Sequence, residues 1–352
     1  MARFLVAPDS FKGTFDAASV AEAIAAGIEA AGAEADRCPV ADGGEGTMAV
    51  LLGALGGKRR TATVHDPLHR PIEAEFALID EVRRTLAPDS DTKVRRTPVT
   101  AVVETAQASG LSLVAPEERD AQRADTFGTG ELIAAAVAAG AQRVLLAVGG
   151  SATTDGGRGA IEALRQSDAA FVLCNPGDVQ RTNAGVTIEV LCDVRTPYEQ
   201  AARVFAPQKG ADEAAVERLT ERLDRLAAEL PRDPRGIPMT GAAGGLSGGL
   251  WAHGAQLHPG ADFVLDTLDF DTRLARADAV IGGEGRFDSQ SLEGKIVGTI
   301  ATRCATAGKP LHLIVGQNGI EGQPPPAISS LRAASRLEEI QIAGGEICRA
   351  SA

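Results

Sequence analysis

Five segments bring glycine together with carboxylate, hydroxyl or ammonium side chains: residues 8–14 (PDSFKGT), 41–47 (ADGGEGT), 149–157 (GGSATTDGG), 241–249 (GAAGGLSGG) and 282–295 (GGEGRFDSQSLEGK). Glycine lets backbone N–H groups close on an anion, lysine adds a point charge, and Asp or Glu holds Mg²⁺ or accepts a proton. Phosphoryl transfer needs that inventory. The candidates it supplies are Asp9, Ser10 and Lys12; Asp42, Gly43, Gly44 and Glu45; Ser151 and Asp155; and Gly283, Glu284, Arg286, Asp288 and Lys295. Lys209 joins them because, like Lys12 and Lys295, it adjoins glycine, as Lys12-Gly13, Lys209-Gly210 and Gly294-Lys295. Asp193, at the end of an apolar run in LCDVRTP, suits a general base.

Each feature also has a plainer explanation. Asp9 and Asp42 suit helix caps, Gly43-Gly44 a strand-to-helix turn, GAAGGLSGG a close helix contact, and Asp193 a turn-initiating residue. No GxxxxGK[ST] occurs, and the Gly294-Lys295-Ile296 step lacks both the upstream glycine and the hydroxyl. Gly44-x-Gly46-x-x-Ala49, with Asp66 downstream, fits the GxGxxA dinucleotide pattern, so a nicotinamide-dependent oxidoreductase is one alternative. A ligand-binding protein without catalysis is another. Ser151 after Gly149-Gly150 approaches a nucleophile elbow, but Thr153 stands where GxSxG needs glycine. The five histidines, His65, His69, His253, His258 and His312, show no metal-binding spacing.

These loops need strands and helices to hold them. Residues 4–7 read as a strand, followed by a loop and a helix over 17–31 with Val20, Ile24 and Ile28 four apart, capped by Asp16 or by a Ser19/Glu22 box. A second unit follows: strand 37–41, loop 42–46 and helix 48–55. Near the C-terminus, strand 279–281, loop 282–291, helix 294–307, strand 311–315 and strand 339–342 continue the alternation, and the two ends are expected to complete one parallel sheet. Between them, the alternating run 72–79 and the run 101–104 suit a mixed sheet, joined by helix 131–139, strand 143–148, strand 187–193 and helix 213–230. Val216, Leu219, Leu223, Leu226 and Leu230 of that last helix suit core packing before a partner helix. The fold class is therefore α/β with two domains: a parallel sheet domain from residues 1–64 plus 270–352, interrupted by a second mixed-sheet α/β domain over 65–269. In open α/β sheets ligands bind beyond the carboxyl ends of the strands, so the loops should converge there.

Composition narrows the partners. Lys+Arg 35 against Asp+Glu 47 gives a net charge of −12 in 352 residues, which disfavours nucleic acid and anionic membranes. The 40 glycines cluster in loops, and a core with ten Phe, one Tyr and one Trp must rest on Ala, Val, Leu and Ile. Five widely spaced cysteines, Cys38, Cys174, Cys192, Cys304 and Cys348, indicate neither a disulfide framework nor a zinc knuckle. The start MARFLVAPDS lacks a signal-peptide pattern and no apolar run reaches about 18 residues, so the chain is expected in the cytoplasm. Assembly into a homo-oligomer is left open.

Read in order, PDSFKGT, ADGGEGT, FGTGELI, GGSATTDGG, CDV followed by PQKGA, GAAGGLSGGL and GEGRFDSQSLEGK closely resemble the signature loops of the type 1 glycerate kinases, from residue 4 to about 316. The resemblance implies ATP-dependent phosphorylation of glycerate, usually at the 2-hydroxyl, with ATP as co-substrate and Mg²⁺ as cofactor, in an enzyme whose flavodoxin-like domain is interrupted by a second one. Where the family has SATNDGG this chain has Thr154, where it has CDVxNP the chain has Thr196, and the residue before PQKGA is Ala206. The usual long final helix is not expected. The triphosphate is then expected over residues 9–14 and 282–295, with Lys12 and Lys295 offsetting its charge and Mg²⁺ held through waters by Asp42, Glu45, Glu284 or Asp288. Arg286 or the amides of 151–157 would meet the glycerate carboxylate, and Asp193 or Asp42 would take the hydroxyl proton.

Overall fold

A computed structural model describes residues 1–79, 98–167, 185–288, 291, 295–320 and 325–351; Cys174 and Gly294, named above, lie outside them. The chain begins β1 (Arg3–Pro8), α1 (Ala17–Ala30), β2 (Glu34–Arg37), α2 (Thr47–Leu55), β3 (Lys58–His65) and β4 (Pro71–Ile79). Next come β5 (Thr100–Glu104), α3 (Thr105–Ser109), α4 (Phe127–Ala138), β6 (Arg143–Ala147), α5 (Arg158–Gln166) and β7 (Thr187–Cys192). Then follow α6 (Ala201–Phe205), α7 (Glu213–Glu229), α8 (Leu246–Ala252), β8 (Gln256–Pro259), α9 (Gly260–Thr267) and α10 (Phe270–Arg276). The chain closes with β9 (Ala279–Phe287), α11 (Ile296–Ala307), β10 (Leu311–Asn318), β11 (Ser330–Ala333) and α12 (Leu337–Ala350). Two compact units result: residues 1–42, 49–51 and 261–352, and residues 43–48 and 52–260.

The first unit holds a five-stranded sheet in the order β11-β10-β9-β1-β2, parallel at every pairing. Strand alternation divides β1 between two cores. Phe4 and Val6 pack with Val20, Ile24 and Ile28 of α1 and with Ile340 and Ile347 of α12, whereas Leu5 and Ala7 pack with Val264 and Leu265 of α9 and Ile296 and Ile300 of α11. Asp16 is the cap of α1, its Oδ1 accepting from the Ser19 N–H at 2.6 Å, which decides between the two starts the sequence allowed.

Three elements of this unit differ from their sequence signals. The strand expected at 37–41 lies earlier, at Glu34–Arg37; Cys38 and Val40 still donate to Val6 and Pro8, but outside the strand proper. The loop expected from residue 282 is a continuation of β9 as far as Phe287, because Gly283 to Phe287 keep their pairing with β10 out to Asn318. The strand expected at 339–342 is instead part of α12, a 14-residue final helix that the sequence had not foreshadowed. Two alternations of Ile with polar residues mimic a strand there, but Ile340, Ala343 and Ile347 share one helical face, and that face packs on α1.

The second unit is built on a six-stranded mixed sheet, β3-β4-β5-β6-β7-β8, antiparallel through β3, β4 and β5 and parallel from β5 to β8. β3 belongs to this sheet, so a boundary after residue 64 assigns it to the wrong unit; the short turn 66–70 makes it a hairpin with β4. Val103, Val144, Leu146 and Val190 meet Leu132, Ile133 and Ala136 of α4 in the core. Leu219, Leu223 and Ala227 of α7 bury against Tyr198, Ala201 and Ala202, the core packing its leucine spacing suggested. Between β6 and β7, Arg143 Nε and Nη2 donate to the two oxygens of buried Glu189 at 2.7 and 2.9 Å, and His258 Nε2 stands 3.2 Å from the same carboxylate. Burial alone would raise the Glu189 pKa; the bonds from His258 and Arg143 overcome it and hold the pKa at about 2.

Candidate active site

Counting only the strands of the first unit, the order is 5-4-3-1-2, the flavodoxin-like arrangement, whose topological switch falls between β1 and β9. Asp9 follows β1 directly, and Glu284 and Arg286 stand two apart on one face of β9, so both come to the carboxyl end of this pair. A cavity of about 390 Å³ opens there, lined by Asp9, Ser10, Lys12, Asp42, Glu284, Arg286, Asp288 and Lys295, among others. Eight sequence-predicted residues therefore share one cavity. Gly285 permits the approach: a Cβ there would lie 3.2 Å from Lys12 N and from Phe11 Cα.

The cavity mixes exposed cations with buried carboxylates. Lys12 Nζ lies 3.6 Å from Asp42 Oδ2, the lysine largely exposed and the aspartate buried. Asp9 accepts from the Ser10 N–H at 2.6 Å; burial, and then the charge of Asp42, holds its carboxyl far above the usual range. Burial likewise raises Glu284 to about 7, even though it hydrogen bonds Ser291, and among the described residues its buried Oε1 has no hydrogen-bond partner. Carboxylates that are this hard to ionise favour a cation beside them. Among the described residues no group of three or more metal-ligating side chains is preassembled.

The remaining candidates lie in the second unit. Gly149 and Gly44 touch, since a Cβ on Gly149 would lie 2.7 Å from Gly44 Cα, and the Glu45 carboxylate comes close to Gly150. The loop 43–46 is held by Glu104, which reads in the sequence only as a strand residue. Its Oε1 accepts from the N–H groups of Gly46 at 3.0 Å and Met48 at 2.7 Å, capping α2 from β5. Burial raises the Glu104 pKa. A carboxylate thus occupies the helix start that the GxGxxA pattern would offer a pyrophosphate, and no strand directly precedes that loop, so the dinucleotide alternative loses its geometry.

Asp155 is buried and its carboxylate is fully engaged: Oδ2 accepts from Thr126 N–H, Thr126 Oγ1 and Gly159 N–H, and Oδ1 from Gly157 N–H. It ties the start of α5 to the start of α4. Thr126, absent from the sequence candidates, completes that knot by accepting from the Ala160 N–H. Lys209 is equally buried, donating to Ser151 Oγ at 3.0 Å and to the Thr153 carbonyl at 2.6 Å. Asp193 directly follows β7, half-buried, and Ser151 lies beyond β6, at the same edge of parallel strands.

The glycerate kinase family model matches residues 4–327. The chain belongs to the glycerate kinase family. As a member it is a phosphotransferase with an alcohol group as acceptor. The Bacillus subtilis glycerate kinase is 38% identical over 342 residues, spanning 89% of this chain and 85% of that protein. The Escherichia coli K12 glycerate 2-kinase is 34% identical, with 99% of this chain and 96% of that protein covered. A crystal structure from Salmonella typhimurium LT2, described as glycerate kinase 2, superposes with a TM-score of 0.77 at 32% identity, covering 99% of this chain and 98% of the other. The sequence expectations of an α/β fold with one parallel and one mixed sheet, and of a glycerate kinase family member, are borne out. No helix among the described residues is long and apolar enough to cross a membrane.

Proposed function

We propose that this protein transfers the γ-phosphoryl group of ATP to the 2-hydroxyl of glycerate, giving 2-phosphoglycerate and ADP. The observation that carries this reading is the cavity at the β1/β9 switch, where Lys12, Arg286 and Lys295 stand with Asp9, Asp42, Glu284 and Asp288. Three cations there match the charge of a triphosphate. Asp42, Glu284 and Asp288 would hold Mg²⁺, largely through water, with Glu45 a further candidate; the Glu284 oxygen that has no hydrogen-bond partner among the described residues fits such a ligand. When bound, Mg²⁺ supplies neutralisation of the charge on the phosphate oxygens.

The chain's own groups perform the rest. Lys12 and Lys295 offset charge on the transferring phosphoryl group, and Asp193 accepts the proton of the attacking hydroxyl. Ser10, Gly43, Gly44 and Gly283 contribute polar or close-approaching backbone. Positioning and charge then account for most of the acceleration.

ADP release from ATP and glycerate, followed by a coupled assay, tests the reaction, and ³¹P NMR of the product fixes the position. ADP release without glycerate, or a 3-phosphoglycerate signal, would overturn the reading at the corresponding step. Lys12→Ala and Asp193→Asn should each lower turnover by roughly 10² or more, as the loss of one group facing transition-state charge does. Chelation of divalent cations should abolish turnover, and Mg²⁺ should restore it.

A further inference from the structure

Lys209 ends a 3-10 turn, Pro207–Lys209, and only 3% of it is exposed. Its ammonium has two acceptors, Ser151 Oγ and the Thr153 carbonyl, and no carboxylate forms an ion pair with it among the described residues. Asp155 is the charged group that acts on it, but the Asp155 oxygens are committed to Thr126, Gly157 and Gly159. Of the other elements packed nearby, Arg119 lays its backbone against Gly210, and Tyr198 is a buried phenol whose pKa burial pushes up, so neither supplies negative charge. Burial pushes the ammonium down to about 7, with Asp155 opposing. A buried cation without a counter-ion is costly, and an anionic ligand relieves the cost.

Ser151 shows where that anion would sit. Because its Oγ accepts from the ammonium, its own proton points elsewhere, and the loop that carries it touches Gly44 at the edge where Asp193 follows β7. A single positive charge matches a single carboxylate, whereas a triphosphate needs several cations. We propose that Ser151 and Lys209 form the subsite for the carboxylate of the acid substrate: Ser151 donates its hydroxyl proton to a carboxylate oxygen, and Lys209 acts behind it as a positioning residue that supplies the counter-charge. This deepens the glycerate reading and rests on it.

The test is a split in KM. Lys209→Met keeps the length and removes the charge, and a near-isosteric apolar residue in place of an unpaired buried cation leaves the fold intact or firmer. Lys209→Met and Ser151→Ala should each raise KM for glycerate tenfold or more while KM for ATP stays within twofold. In the parent protein KM for glycerate should rise about tenfold per pH unit above pH 7, as the ammonium loses its proton, and the Met variant should lose that dependence. Calorimetric titration of the parent with glycerate at pH 7.5, in two buffers of different ionisation enthalpy, should show proton uptake. Equal changes in both KM values, a change in KM for ATP alone, or a pH dependence that survives in Lys209→Met would overturn the subsite. No glycerate-dependent ADP release in the parent protein would instead overturn the function on which it rests.

Discussion

Asp155→Ala separates a structural from a ligand-binding aspartate. In the native protein one carboxylate satisfies four buried donors: the N–H groups of Thr126, Gly157 and Gly159 and the hydroxyl of Thr126. An unsatisfied buried donor costs about 1–3 kcal/mol, so a full loss would approach the upper end of single-substitution effects. Part is recovered, because burial raises the Asp155 pKa and so charging it there is itself unfavourable. The net expectation is a loss of about 3–5 kcal/mol for the alanine variant. Asp155→Asn keeps an oxygen for the three donors on Oδ2 but turns an NH₂ group toward Gly157, at a cost of about 1–2 kcal/mol. Urea unfolding followed by far-UV circular dichroism gives both numbers, provided the slope is unchanged from the parent. In the asparagine variant, KM for glycerate and for ATP should stay near the parent values. An alanine variant within 1 kcal/mol of the parent, or an asparagine variant of normal stability with a much raised KM, would mean that the carboxylate faces ligand.

Glu104→Ala removes the acceptor for Gly46 and Met48 and should cost about 1–2 kcal/mol, the range of a lost helix cap, whereas Glu104→Gln retains Oε1 and should stay close to the parent by thermal unfolding; equal losses in both would point to charge instead of acceptor geometry. Arg143→Met leaves Glu189 buried without its main partner and should cost about 3–5 kcal/mol at pH 7. Because the folded pKa of Glu189 is depressed to about 2, the stability it contributes is complete above the unfolded value near 4.5 and lost as pH falls toward 2. Denaturation at pH 7, 4 and 2 should therefore find the difference between parent and variant shrinking with acid, and a constant difference would contradict the assignment.

What the sequence disclosed, it disclosed through chemistry tied to period and punctuation. The 3-4 spacing of α1 and α7, the apolar runs of β1, β6 and β7 and the glycine loops sufficed for the two sheets and for the residues around the β1/β9 cavity. Elements whose identity depends on distant partners were not legible. β9 extends through glycines because β10 offers it a ladder, α12 is a helix because α1 offers it a face, and β3 joins the second sheet because β4 turns back on it. The same limit hid Glu104 and Thr126, whose roles arise from contacts 29 to 58 positions away in the chain. A motif names what a loop can touch; it does not name what holds the loop still.

The extension of β9 bears on how a ligand is received. Glu284 and Arg286 hang from a strand that stays paired with β10 as far as Asn318, past the point where its pairing with β1 ends at Gly283, and not from a free loop, so their backbone loses much of its freedom when the chain folds and has less left to lose when a nucleotide arrives. Capture of an anion at that edge is in this respect closer to docking on a preset template than to the wrapping of a loose one. Crystal or solution measurements of backbone order at residues 283–287, with and without nucleotide, should differ little.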